Sequence, residues 1–224
     1  MNKYKAVFFD RDNTLTYKNE KAYKKYYTLV ESVSHKKFIM DNKRMFEIFN
    51  KIKQRGFDTN TYDNEVLFYK EYYKEVIREE CGYLDEETAF KIFNIMWLKD
   101  RCLFGDVLDT FKKIKEKGLK IGIISDTGLS LEATLVALGL GEYIDSYTCS
   151  KEVGVMKPDP EIYLTAINKL GLKPEECIYV DDYLEEVEGA LKLGFTAFRI
   201  NRNCEDTEKF DIRSLKEIID VIVG

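Results

Sequence analysis

The 224-residue chain holds one histidine, one tryptophan and three prolines, and none of its five cysteines stands in a C-x-x-C pair. The shortage of histidine excludes whole classes of chemistry. A Ser-His-Asp triad, a Cys-His dyad and a multi-histidine metal site all need it, and His35 has no partner motif nearby. His35 is therefore expected at the surface. Cys81, Cys102, Cys149, Cys177 and Cys204 are odd in number and scattered. They read as reduced thiols packed as small apolar groups, neither a disulfide frame nor a zinc site. No apolar run approaches the length of a membrane span, and MNKYKAVFFD has no apolar leader core. No membrane partner and a cytoplasmic location are expected. The formal net charge of −5 supplies no basic excess, so no nucleic-acid partner is expected. Any catalysis must rest on carboxylates, hydroxyls and lysine.

What the sequence does contain is ordered. Residues 5–9 (KAVFF) form an apolar run ending in Asp-Arg-Asp-Asn-Thr, a buried strand with polar groups at its carboxyl end. From Gly105 onward, helical and strand patterns alternate. Residues 106–117 carry apolar side chains at helical spacing, Gly118 stands at the C-cap, and the strand KIGII follows. The same grammar recurs at 160–170 with Gly171 before CIYV, and at 184–193 with Gly194 before TAFRI; a short strand is read at 146–149. Strands alternating with crossover helices imply an α/β, doubly wound parallel-sheet, Rossmann-like core. Residues 17–102 read instead as consecutive helices at about 20–33, 42–55, 64–80 and 86–98, with Asp41, Asp63 and Asp85 at or near their starts. The expected organisation is a core of residues 1–16 and 103–224 with an inserted all-helical cap domain at 17–102. The many insert tyrosines, among them Tyr26, Tyr72 and Tyr73, are expected mostly to pack between helices.

Ligands of an open parallel sheet bind beyond the carboxyl ends of its strands. Those ends offer Asp10 and Asp12, then Ser125 and Asp126, then Lys157, then Asp181 and Asp182. Carboxylates, a hydroxyl and an ammonium make up an inventory for handling a phosphoryl group beside a hard divalent cation. Asp10 would attack phosphorus and form an aspartyl-phosphate, while Asp12 would protonate the leaving oxygen and then activate water. Ser125, with Asp126 beside it, and Lys157 would bind the substrate phosphate. Asp10, Asp12 through its carbonyl, and Asp182 would hold Mg²⁺. Asp181 is a further metal candidate, and two adjacent acids after a buried strand repel each other and invite a cation. If the chain stays extended past Asp10, Arg11 points away from both aspartates.

In FFDRDNTLT (8–16), IISDTG (123–128), GVMKPDPEIY (154–163) and IYVDDYLEEVEGA (178–190), the chain resembles the haloacid dehalogenase-like hydrolase superfamily, in the branch with a helical cap inserted after the first strand. The resemblance implies the same roles for Asp10, Asp12, Ser125, Lys157 and the Asp181–Asp182 pair. It departs from the family at Asn13 and Asp181, where glycine is usual; asparagine tolerates a left-handed backbone. Glu186, one helical turn beyond Asp182, would support the metal ligands. The expected activity is Mg²⁺-dependent hydrolysis of a small phosphorylated metabolite by a monomer or homodimer. A phosphomutase, a haloacid dehalogenase or a catalytically silent binding protein are the competing readings. The cap would set specificity and close over the strand ends, hinging near 16–18 and 99–105.

Overall fold

The computed structural model describes residues 3–203 and 210–223; Cys204 lies outside the described residues. In chain order the elements are β1 (Ala6–Phe9), β2 (Thr16–Lys18), α1 (Glu20–Ser34), α2 (Asn42–Gln54), α3 (Tyr62–Cys81), α4 (Glu86–Met96), β3 (Arg101–Leu103), α5 (Val107–Glu116), β4 (Lys120–Ser125), α6 (Leu131–Ala137), β5 (Ser146–Cys149), α7 (Ser150–Val153), α8 (Pro160–Leu170), β6 (Cys177–Asp181), α9 (Leu184–Leu193), β7 (Thr196–Ile200), β8 (Asp211–Ile212) and α10 (Glu217–Val223). They form two compact units, Met1–Tyr17 with Leu103–Gly224, and Lys18–Cys102.

The first unit is built on a six-stranded sheet in the order β5-β4-β1-β6-β7-β8, and every pair in it is parallel. Strand alternation explains its two covered faces. Val7 and Phe9 of β1, with Ile121, Ile123, Ile178 and Val180, pack against Phe111 and Ile114 of α5 and Leu135 of α6. Ala6 and Phe8, with Ile124, Cys177 and Tyr179, face Tyr163 and Ile167 of α8 and Val187 of α9. Gly122 leaves room for the Phe8 ring, since a Cβ there would meet Phe8 Cε1 at 2.3 Å. The strand order reverses at β1, with β4 on one side and β6 on the other, so the crevice of a doubly wound sheet opens at the end of β1.

The second unit packs α1–α4 around Tyr26, Val30, Ile52, Phe68, Val76 and Ile92. Asp41 and Asp85 cap α2 and α4 through the amides of Arg44 and Thr88. Asp63 does not cap α3. The helix starts two residues earlier than expected, and Thr61, whose backbone is extended, accepts from Asn64 N; Asp63 sits within the first turn. Tyr26, Tyr72 and Tyr73 are buried as expected, whereas Tyr62 is 39% exposed. His35 is exposed, in a left-handed C-cap at φ 55°. Among the described residues the four cysteines are free thiols, and no helix is long and apolar enough to cross a membrane.

One buried acid ties α2 to α3. Glu75 is 1% exposed and accepts from Lys51, from Arg55 Nη1 at 2.7 Å and from Arg78 Nη1 at 3.3 Å. Burial alone would raise its pKa, but the three cations outweigh burial and lower it from 4.5 to about 2. A depressed carboxyl stabilises the fold above its unfolded value and loses that contribution as pH falls from 4.5 through 2. Because the cations are partly exposed, Glu75→Gln is expected to cost about 2 kcal/mol at pH 7. Urea unfolding of both proteins at pH 7, 4 and 3 should show the difference shrinking; a constant difference would place the contribution elsewhere.

Candidate active site

The backbone of β1 carries its sheet bonding one residue past the strand, with Asp10 N donating to Val180 O at 2.9 Å. Asp10 follows Ala6 and Phe8 in the strand alternation, which turns it toward the α8–α9 face. The chain then leaves the extended path. Arg11 O accepts from Leu15 N at 3.0 Å and Thr16 N at 2.9 Å, and Asn13 N donates to Thr16 O at 2.7 Å. Asn13 takes φ 59°, the left-handed conformation anticipated for it. This turn corrects the expectation for Arg11. The bend swings its guanidinium onto Asp12, with Nε 3.0 Å from Oδ1 and Nη2 2.8 Å from Oδ2, and Thr16 Oγ1 lies 3.3 Å from Asp12 Oδ1.

Lys157 is the centre of the site. It stands in the loop before α8, on the same face of the sheet as Asp10, and is 7% exposed. Its Nζ lies 2.7 Å from Asp10 Oδ1, 2.8 Å from Asp181 Oδ2, 2.6 Å from Glu186 Oε2 and 3.2 Å from the Tyr179 hydroxyl. Tyr179 and Asp181 are two residues apart on β6 and so share a face, and the hydroxyl also donates to Asp181 Oδ2. Tyr183 N donates to Asp181 Oδ1 at 2.9 Å. Asp181 is thus bonded at both oxygens and is 1% exposed. Asp182 is half-buried, and Asn13 Nδ2 donates to its Oδ2 at 3.1 Å, joining the first loop to the end of β6. Glu186, one helical turn beyond Asp182, pairs with Lys157 and also hydrogen-bonds the Asp181 side chain.

Ser125 ends β4 and is 1% exposed. It lines a cavity of about 170 Å³ with Asp10, Asp12, Asn13, Asp126, Lys157, Asp181, Asp182 and Glu186. Every residue singled out from the sequence is therefore brought to one place. The Asp126 carboxylate, expected on the substrate, accepts from Lys157 N at 3.1 Å and so braces the lysine loop. Sequence reasoning passed over Tyr179, although its place two residues before Asp181 on a buried strand was a signal.

The site is short of positive charge. Burial raises the Asp10 carboxyl well above its usual range, and Lys157 only partly opposes this. Burial and the Asp181 charge raise Asp182, and the same two influences lift Glu186 to about 7. Burial by itself would lower Lys157, but Asp10, Asp181 and Glu186 outweigh it and hold the ammonium protonated. One ammonium shared by several acids leaves room for another cation. Asp10, Asp181 and Asp182 each offer an oxygen within 4.8 Å of the others, a hard oxygen set that fits a divalent ion of the Mg²⁺ kind. The Asp12 carboxylate stands apart from that group, held by Arg11 and Thr16.

Residues 4–194 match the family profile of the haloacid dehalogenase-like hydrolases. The chain belongs to that family. Among curated relatives, this hydrolase is 34% identical to a glyceraldehyde 3-phosphate phosphatase of Methanopyrus kandleri, over 53% of this chain and only 56% of that one. It is 27% identical to the protein of the same name from Methanocaldococcus jannaschii, over 97% of this chain and 96% of that one. The structure of a 2-haloacid dehalogenase from Pseudomonas syringae superposes with a TM-score of 0.67 at 20% identity, covering 98% of each chain. At that identity the likeness is one of fold, and the choice between activities falls to the site.

Proposed function

We propose that this hydrolase releases phosphate from a small phosphorylated metabolite in the cytoplasm, with Asp10 as nucleophile and Asp12 as general acid and base. The observation that carries the reading is Lys157, buried and bonded to Asp10 at the ends of three adjacent strands beside Asp182. Mg²⁺ held by Asp10, Asp182 and the Asp12 carbonyl would neutralise phosphate charge that otherwise repels a carboxylate. Asp181, engaged by Lys157, Tyr179 and Tyr183, serves the lysine more directly than a metal.

The protein's own groups then divide the work. Asp10 donates an electron pair to phosphorus as the ester oxygen leaves, and Asp12 gives that oxygen a proton. Lys157 keeps Asp10 oriented and attracts the phosphoryl oxygens, and Ser125 donates a hydrogen bond to one of them. Water next attacks the aspartyl-phosphate while Asp12 takes its proton, which frees phosphate and restores the Asp10 carboxylate and the protonated Asp12. Arg11 and Thr16 fix the direction of the Asp12 carboxylate; proton transfer requires one of its oxygens to leave the guanidinium fork. A dehalogenase has no leaving oxygen to protonate and no use for this arrangement.

The test is phosphate release from p-nitrophenyl phosphate and from glyceraldehyde 3-phosphate, for which the two archaeal relatives are named, with Mg²⁺ or with EDTA. Metal-dependent release is expected, and Asp12→Asn should lower it by about 10²-fold or more. Chloride release from a 2-chloro acid, with no phosphate release from either ester, would refute the reading.

A further inference from the structure

The turn that carries Asp12 and Asn13 is gripped from outside at two successive carbonyls. Phe104 N donates to Leu15 O at 3.0 Å, and Arg202 Nη2 donates to Thr14 O at 2.8 Å. Thr14 is fully buried, and among the described residues its hydroxyl has no hydrogen-bond partner, so its side chain adds no hydrogen bond to the grip. The guanidinium of Arg202 lies 3.8 Å from the centre of the Phe104 ring, which makes the two clasps one assembly. Asp106 anchors it from behind. Its Oδ2 accepts from Arg202 Nη1 at 3.0 Å, Ser214 Oγ at 2.9 Å and Leu215 N at 2.9 Å. Burial would raise the Asp106 carboxyl, but these donors prevail and lower it, so the anchor stays ionised.

Arg202 and Ser214 lie beyond residue 194, where the family match ends. A planar guanidinium bonds Asp106 through one nitrogen and the Thr14 carbonyl through another, spanning two acceptors with a rigid fork that a lysine's single nitrogen does not provide. Since Asn13 is bonded to Asp182, movement of the turn would displace both the proton-transfer residue and a metal-binding carboxylate. Displacements near 1 Å at such groups cost rates of order 10²-fold.

We propose that Arg202 is a positioning residue for the reaction, holding the Asp12–Asn13 turn in place through the Thr14 carbonyl. The proposal rests on the phosphatase reading for its kinetic consequence and on geometry alone for its structural one. The experiment compares the wild-type protein with Arg202→Met and with Arg199→Ala. The latter removes the paired fork between Arg199 and Asp211, at 2.7 and 2.6 Å, and serves as a control for loosening the same segment.

Amide hydrogen exchange over residues 11–16 should quicken at least tenfold in Arg202→Met and stay unchanged in Arg199→Ala, with β4 protected in both. In the p-nitrophenyl phosphate assay with Mg²⁺, kcat should fall about tenfold in Arg202→Met while KM stays within twofold. Should the methionine variant not fold, Arg202→Lys gives the same reading in smaller measure. Unchanged exchange over 11–16, an equal rise in Arg199→Ala, or an unchanged kcat would overturn the proposal. Absence of turnover in the wild-type protein would overturn the phosphatase reading alone, because the exchange is read without substrate.

Discussion

Asp10→Asn is expected to reduce phosphate release by about 10³-fold or more and to leave the protein at least as stable as before. The two effects have one origin. The amide cannot form an acyl phosphate, so the covalent step is lost. It still presents an oxygen to Lys157, now without the charge that burial and the Asp181 carboxylate disfavour at this position. Removing a charge from a crowded acidic site commonly raises stability while abolishing activity. Phosphate release and urea unfolding in the absence of metal, measured on the same preparation, check both halves. Retained turnover would remove Asp10 from the chemistry. A large loss of stability would mean that Asp10 is chiefly a structural partner of the lysine.

Lys157→Met is expected to act in the opposite way, eliminating turnover and destabilising the fold by about 3–5 kcal/mol. Lys157 Nζ is the ammonium in contact with Asp10, Asp181 and Glu186 at 2.6–2.8 Å, and its departure strands three buried or half-buried carboxylates. Methionine replaces the packing of the stem and none of the charge. Arginine would not substitute, because its larger planar group demands acceptors in a fork, whereas these converge on one nitrogen. Chemical denaturation at pH 7 measures the loss. A cost below 1 kcal/mol would mean that the carboxylates are neutral at that pH, and that the ionic description of the site is wrong.

These two predictions turn on residues that could be found before any coordinates, and the reason is physical. A parallel sheet places the ends of its strands in one crevice, so polar groups closing apolar runs converge if the strands are adjacent. Asp10, Ser125, Asp181 and Asp182 each stand at such an end, Lys157 comes from the loop beyond β5 and α7, and hydrophobic periodicity located the strands. Glycines at 118, 171 and 194 marked helix ends because each has positive φ, a conformation costly for other residues. Strands β1, β4, β5, β6 and β7 and the helices α5, α8 and α9 were therefore legible from local pattern, whereas α6 was not, and the left-handed turn at Asn13 followed from the family resemblance.

What lay beyond reach is equally specific. The two-stranded pairing of β2 with β3 joins residues about 85 positions apart, and three-residue strands carry no period to detect. β8 is two residues long and exists because β7 offers it an edge. α3 begins at Tyr62 because the Thr61 hydroxyl meets a free amide, a contest with Asp63 that composition does not decide. At the site, residue types and strand positions were enough to say which groups could gather. The pairings were set by the tertiary structure: Arg11 on Asp12, Glu186 and Tyr179 on Lys157, Asp126 on a backbone amide, and Arg202 on the Thr14 carbonyl behind the Asp12–Asn13 turn. A side chain's type and order along the chain fix its chemistry, whereas its partner is set by bends and helix turns that bring distant atoms within 3 Å or so, the reach of a hydrogen bond.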